Sequence, residues 1–93
     1  MNLELIINEI KKQLPEDVDE YSNYKKWKTY HNFSGYYNGC YFDLYFRETL
    51  GGRQTIEVCH TTENPMVFVE MIKDIDKKAI VTYTKTTKIE VTI

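Results

Sequence analysis

Residues 40–60 read CYFDLYFRETLGGRQTIEVCH. Cys40, Phe42, Leu44 and Phe46 alternate with Tyr41, Asp43, Tyr45 and Arg47, which is the period of a strand buried on one face. Beyond Leu50-Gly51-Gly52, Ile56 and Val58 alternate with Thr55, Glu57 and Cys59. A three-residue loop with Gly52 in the left-handed region sets position 49 opposite 53. Phe46 then faces Ile56, Leu44 faces Val58 and Phe42 faces His60. A two-residue Gly-Gly loop would set Phe46 against Glu57 and turn one strand's apolar face to solvent. The three-residue loop is therefore the one expected.

Outward from this hairpin, two helices are expected. Leu3, Ile6, Ile7, Ile10 and Leu14 form one apolar stripe at helical spacing. Asn2 is placed to cap that helix, Lys11 and Lys12 suit its negative end, and Pro15 stops it. Asn64-Pro65 marks a second start, followed by Phe68, Met71, Ile72 and Ile75 at helical spacing, giving a helix over 65–77. Its β-branched residues also permit a strand over 67–72. Glu16 to Lys26 reads as a solvated loop or a short helix. Trp27 to Asn38 reads as an irregular strand with a turn at Ser34-Gly35. Residues 79–93 are β-prone, as one bent strand or two. The expected fold is α+β: a small antiparallel sheet with two helices on one face, in the order α-β-β-β-α-β(-β).

Ninety-three residues with 42% hydrophobic and 28% charged content fit a single domain over 1–93 and exclude a disordered or collagen-like chain. No run of about 18 apolar residues occurs, so no membrane span is expected. Nor does the N-terminus carry the basic stretch and small-residue cleavage site of a signal peptide, and the protein is expected to be cytoplasmic. The net charge is −2, which gives no whole-chain attraction for nucleic acid. It is unevenly spread: residues 1–24 hold six acids against two lysines, and residues 25–62 hold five bases against three acids.

Two cysteines in such a chain point to free thiols. The hairpin register sets Cys59 opposite Asp43 and gives Cys40 the other parity, so no Cys40–Cys59 bridge is expected. His31, Cys40, Cys59 and His60 lack the paired spacing of a zinc site, and the adjacent Cys59 and His60 diverge along a strand. Glu16, Asp17, Asp19 and Glu20 lack the glycine and spaced oxygen ligands of a calcium loop. Leu50-Gly51-Gly52-Arg53 fits a hairpin turn, not a phosphate cradle. No catalytic constellation is complete, so neither an enzyme nor a cofactor is expected.

Aromatic residues carry the functional signal. Eleven of the 13 lie between Tyr21 and Phe46. Core filling accounts for some of them. Tyr and Trp are also enriched at protein interfaces, where a rigid ring brings a hydrogen-bonding tip. The expected partner site is therefore Trp27, Tyr30, Tyr41 and Tyr45, with Asp17, Asp19 and Glu20 steering a basic partner. The alternative is single-stranded nucleic acid stacked on the stretch 24–31 and its neighbours, with Lys25, Lys26, Lys28 and Arg47 neutralising phosphates. One continuous basic face of Lys25, Lys26, Lys28, Arg47 and Arg53 would favour that alternative, and interruption by Glu16 to Glu20 would favour protein.

In size, acidity and richness in Tyr, Asn, Lys and Ile, the chain resembles the small accessory proteins of phages and mobile elements. That resemblance implies an inhibitor of a host or defence enzyme, such as an anti-CRISPR protein. Met66, Val67 and Val69 widen the apolar face of the second helix, and Lys88 to Ile93 would make an unprotected edge. A homodimer through either feature is a further expectation.

Overall fold

A computed structural model describes residues 2–22, 25–60 and 66–85, apart from the side chains of Cys40, His60 and residues 83–85. The order is α1 (Leu3–Gln13), β1 (Asp19–Ser22), β2 (Trp27–Tyr37), β3 (Cys40–Thr49), β4 (Gln54–His60), α2 (Met66–Ile75) and β5 (Val81–Lys85). The five strands form one sheet in sequence order, β1-β2-β3-β4-β5. Both helices contribute to a single core on one face of it. The α+β fold expected from the sequence is the fold observed.

The 40–60 hairpin has the expected register. Leu44 pairs with Val58, Phe46 with Ile56 and Phe42 with His60. Gly52 takes φ +93°, its N–H donates to the Thr49 carbonyl (2.9 Å), and the Thr49 N–H donates to the Arg53 carbonyl (2.9 Å). Phe42, Leu44, Phe46, Ile56 and Val58 are buried, and they form the hairpin's contribution to the core. Over them lie Leu3, Ile6, Ile7 and Ile10 of α1 and Phe68, Val69 and Ile72 of α2. Asn2 caps α1 by accepting a hydrogen bond from the Leu5 N–H (3.1 Å), as its position predicts.

Three features differ from the sequence expectation. Asp19–Ser22 is an edge strand, not a loop or helix. All four of its residues are exposed, so no apolar alternation announces it; backbone pairing to β2 makes it a strand. Ser34 and Gly35 lie inside β2 instead of forming a turn. The turn is Asn38-Gly39, with φ +52° and +81° between the paired residues Tyr37 and Cys40. That geometry is a two-residue hairpin turn of the type Asn-Gly favours. Gly35 serves a close approach: a Cβ there would stand 3.4 Å from Val18 Cγ2 and 3.5 Å from its Cα. Finally, β5 joins β4 in parallel, which makes the sheet mixed. A helix between two neighbouring strands returns the chain to the end where it began, and α2 does so here.

The second helix spans Met66–Ile75, inside the expected 65–77 and not as a strand. The Asn64-Pro65 cap lies outside the described residues, as do residues 86–93 and with them the tail segment considered for self-association. Val69 is buried, while Met66 and Val67 are exposed, so the surplus apolar face of α2 is narrower than its sequence implies.

Replacing Gly39 by alanine forces a Cβ into the left-handed region at a hairpin turn. The expected loss is about 1–2 kcal/mol. Gly51 has no positive φ, and an added methyl group there would meet only the Thr49 hydroxyl within 4 Å, so it should accept alanine with little change. Urea unfolding of the two variants checks the contrast.

Candidate functional site

Alternation along β3 sends Tyr41, Asp43, Tyr45 and Arg47 to the face opposite the helices. Their cross-strand partners on β2 are Tyr36, Ser34, Asn32 and Tyr30 in that order, and on β4 Asp43 meets Cys59 and Tyr45 meets Glu57. Tyr21 joins from β1, opposite Asn32. Among the described residues no helix covers this face.

Trp27 reaches the same face through an irregularity. Residues three apart on a regular strand point to opposite sides, yet Trp27 and Tyr30 are in contact, with ring centroids 6.0 Å apart. The register shift between Trp27 and Thr29 inserts one extra residue into β2 and turns Trp27 over. Ten of the eleven clustered aromatics are described, and they divide by face. Phe33, Phe42 and Phe46 are buried and Tyr37 packs against Phe68, whereas Tyr21, Trp27, Tyr30, Tyr36, Tyr41 and Tyr45 stand on the open side.

Two clusters organise the open face. In the first, Arg47 sits among rings, 4.4 Å from the Tyr45 centroid, 5.8 Å from Tyr30 and 6.0 Å from Trp27. Its guanidinium also pairs with Glu57 at 3.2 Å. Tyr21 extends this cluster edge-on to Tyr30, with centroids 6.0 Å apart. In the second, Tyr36 and Tyr41 meet edge to face at 5.5 Å. The Tyr41 hydroxyl donates to the Asp43 carboxylate, and beside it the Asn32 amide donates to the Leu44 carbonyl (3.0 Å). Burial raises the Asp43 carboxyl above its usual range despite the Tyr41 bond and the nearby Asn32 amide.

The acidic run is split by the same alternation. Asp17 lies in the turn before β1 and Asp19 falls on the open-face parity of that strand. Glu20 turns the other way, where it pairs with Lys11 (3.0 Å) and with His31 Nε2. Burial alone would raise its carboxyl, but the hydrogen bonds from His31 and Lys11 outweigh burial and lower it. Glu20 thus ties the edge strand to α1. The basic residues are divided as well. Lys28 pairs with Glu48 at 3.6 Å, Arg47 pairs with Glu57, and Lys25 and Lys26 are exposed just before β2. Asp19, Asp43 and Glu57 interrupt any basic stripe on the open face.

Among the described residues no three His, Cys, Asp or Glu converge on a common point. No helix there is long and apolar enough to cross a membrane. Cys59 is a free thiol on the open face. No protein-family model matches the chain, and neither does any curated protein or solved structure.

Tyr21, Asp43 and Glu57 belong to the open face without standing out as site residues in the sequence. For Asp43 and Glu57 the signal is the hairpin register, which sets both on the parity of Tyr41 and Tyr45. Tyr21 carries no such signal, because β1 has no apolar alternation.

The open face also fixes an alkaline response. Burial, with the nearby Glu57 and Asp43 carboxylates, raises the Cys59 thiol from 9.0 to about 12. Burial, with Asp43 and Cys59, raises the Tyr45 phenol from 10.0 to about 12. In the unfolded chain both groups ionise first, so the unfolded state binds fewer protons between about pH 9 and 12 and stability falls as pH rises through that window. Urea unfolding should show stability level from about pH 7 to 8.5 and declining above about pH 9, with a shallower decline for Cys59→Ala. A decline of equal slope in the variant would remove Cys59 from the account.

Proposed function

We propose that the protein is a non-enzymatic binding protein that docks on a protein partner through the open face of its sheet. One observation carries this reading: six Tyr and Trp rings gather on the side that no described helix covers, two of them highly exposed (Tyr21 55%, Tyr36 66%). A small protein lowers its free energy by burying rings, so an aromatic face left open has its use in another molecule. Interfaces favour Tyr, Trp and Arg at their centres, which is the composition of the cluster around Arg47. The finer reading is a cytoplasmic inhibitor of the kind encoded by phages or mobile elements, acting by occupying its target's surface, as anti-CRISPR proteins do. A homodimer through the exposed Met66 and Val67 of α2 belongs to the same proposal.

Nucleic acid is the second reading, because rings on a sheet can stack bases. The charges of the face count against it. Asp19, Asp43 and Glu57 would stand against the phosphates, and Arg47 is already paired.

Affinity capture from the native host, with and without nuclease, tests the assignment alongside Tyr21→Ala and Trp27→Ala. Capture should survive nuclease, and each variant should lose about 2 kcal/mol of affinity, on the order of thirtyfold. Neutralising Asp17 and Asp19 should mainly slow association, and less so at high salt. Nuclease-sensitive capture would transfer the face to the nucleic-acid reading. Unchanged binding by both ring variants would remove the face from function.

A further inference from the structure

The two clusters of the open face share one chemistry and differ in one component. Around Arg47, a guanidinium lies against rings and pairs with a carboxylate, Glu57. Around Tyr41, rings and a carboxylate are also present, with Tyr36 and Tyr41 on neighbouring strands and Asp43 on the strand of Tyr41. Tyr36 pairs with Tyr41 across β2 and β3, and Ser34 pairs with Asp43 one step along. Among the described residues no Lys or Arg pairs with Asp43.

We infer that the Tyr36–Tyr41–Asp43 cluster receives an arginine side chain of the protein partner. The inference rests on the docking role proposed for the open face and names the chemistry that would recognise it. Tyr36 is mostly exposed and offers a ring that a planar guanidinium can stack on. Asp43 accepts from Tyr41 with the Asn32 amide nearby, and an ionised carboxylate has about four acceptor sites, so it retains capacity for two guanidinium donors. Its position between two tyrosines, partly withdrawn from water, makes an added cation more favourable than at an exposed carboxylate. Charge complementarity points the same way. Once Arg47 is set against Glu57, the described groups of this face leave Asp19 and Asp43 without a cation, so the partner's matching surface is basic.

NMR titration of the full chain with the peptide acetyl-Gly-Arg-Gly-amide tests this directly, with the citrulline peptide as the uncharged counterpart. The arginine peptide should give saturable shifts in the Tyr36 and Tyr41 ring signals and the Asp43 carboxyl signal. The citrulline peptide should bind more weakly by at least about fivefold. Asp43→Asn keeps an acceptor for Tyr41 while removing the charge, and Tyr36→Ala removes an exposed ring. Each should weaken the arginine peptide by a similar factor with an otherwise unchanged spectrum. Equal binding of the two peptides, or an arginine titration unaffected by Asp43→Asn, overturns the inference. The two proposals separate in the partner assay. If Tyr21→Ala and Trp27→Ala lose the partner but Asp43→Asn holds it at full affinity, the open face stands as the interface and the arginine site is wrong. If all three variants hold it, both are wrong.

Discussion

Everything on this molecule depends on β3 being central and strictly alternating. Its even-numbered residues Phe42, Leu44 and Phe46 are fully buried beneath the two helices. Its odd-numbered residues Tyr41, Asp43, Tyr45 and Arg47 are thereby committed to the other side. A slip of one residue would bury an aspartate and an arginine and expose two phenylalanines, a change far larger than the stability of a domain this size. The apolar set thus fixes the polar-aromatic set. Core and candidate interface are two readings of one strand.

Around that strand, local devices adjust what the open face displays. The Asn38-Gly39 turn returns β3 against β2 so that Tyr36 stands across from Tyr41. The irregularity near Lys28 turns Trp27 onto the face with Tyr30. Glu20, held by Lys11 and His31, fastens the short edge strand that carries Tyr21. An exposed ion pair of this kind contributes little to global stability. It joins β1 to α1, while the backbone ladder to β2 sets where β1 lies and so where Tyr21 meets Tyr30.

Much of this was legible in the sequence, and the rest was hidden for physical reasons. The hairpin register followed from apolar alternation plus one glycine loop, because only one loop length keeps both strands' apolar faces together. Both helices followed from their stripes. Asn38-Gly39 was also legible, as the strongest short turn signal there is, but Ser34-Gly35 competes with it four residues earlier. That glycine answers to Val18 approaching from the chain before β1, a contact no local pattern contains. The edge strand escaped because its residues are all exposed, and the parallel β5 because strand direction is set by the crossover and not by composition. At the site, alternation placed Tyr41, Tyr45 and Arg47 in advance. The side taken by Trp27 needed the bulge.

The clustered aromatics are divided between a covered and an uncovered face. Paramagnetic broadening by a soluble, neutral gadolinium chelate tests it most directly, residue by residue, on the free protein. Ring signals of Tyr21 and Tyr36 should broaden strongly, those of Trp27, Tyr30, Tyr41 and Tyr45 partly, and those of Phe33, Phe42 and Phe46 scarcely at all. Tyrosine rings as protected as the phenylalanines would mean that the face is covered within the free chain, and would contradict the account.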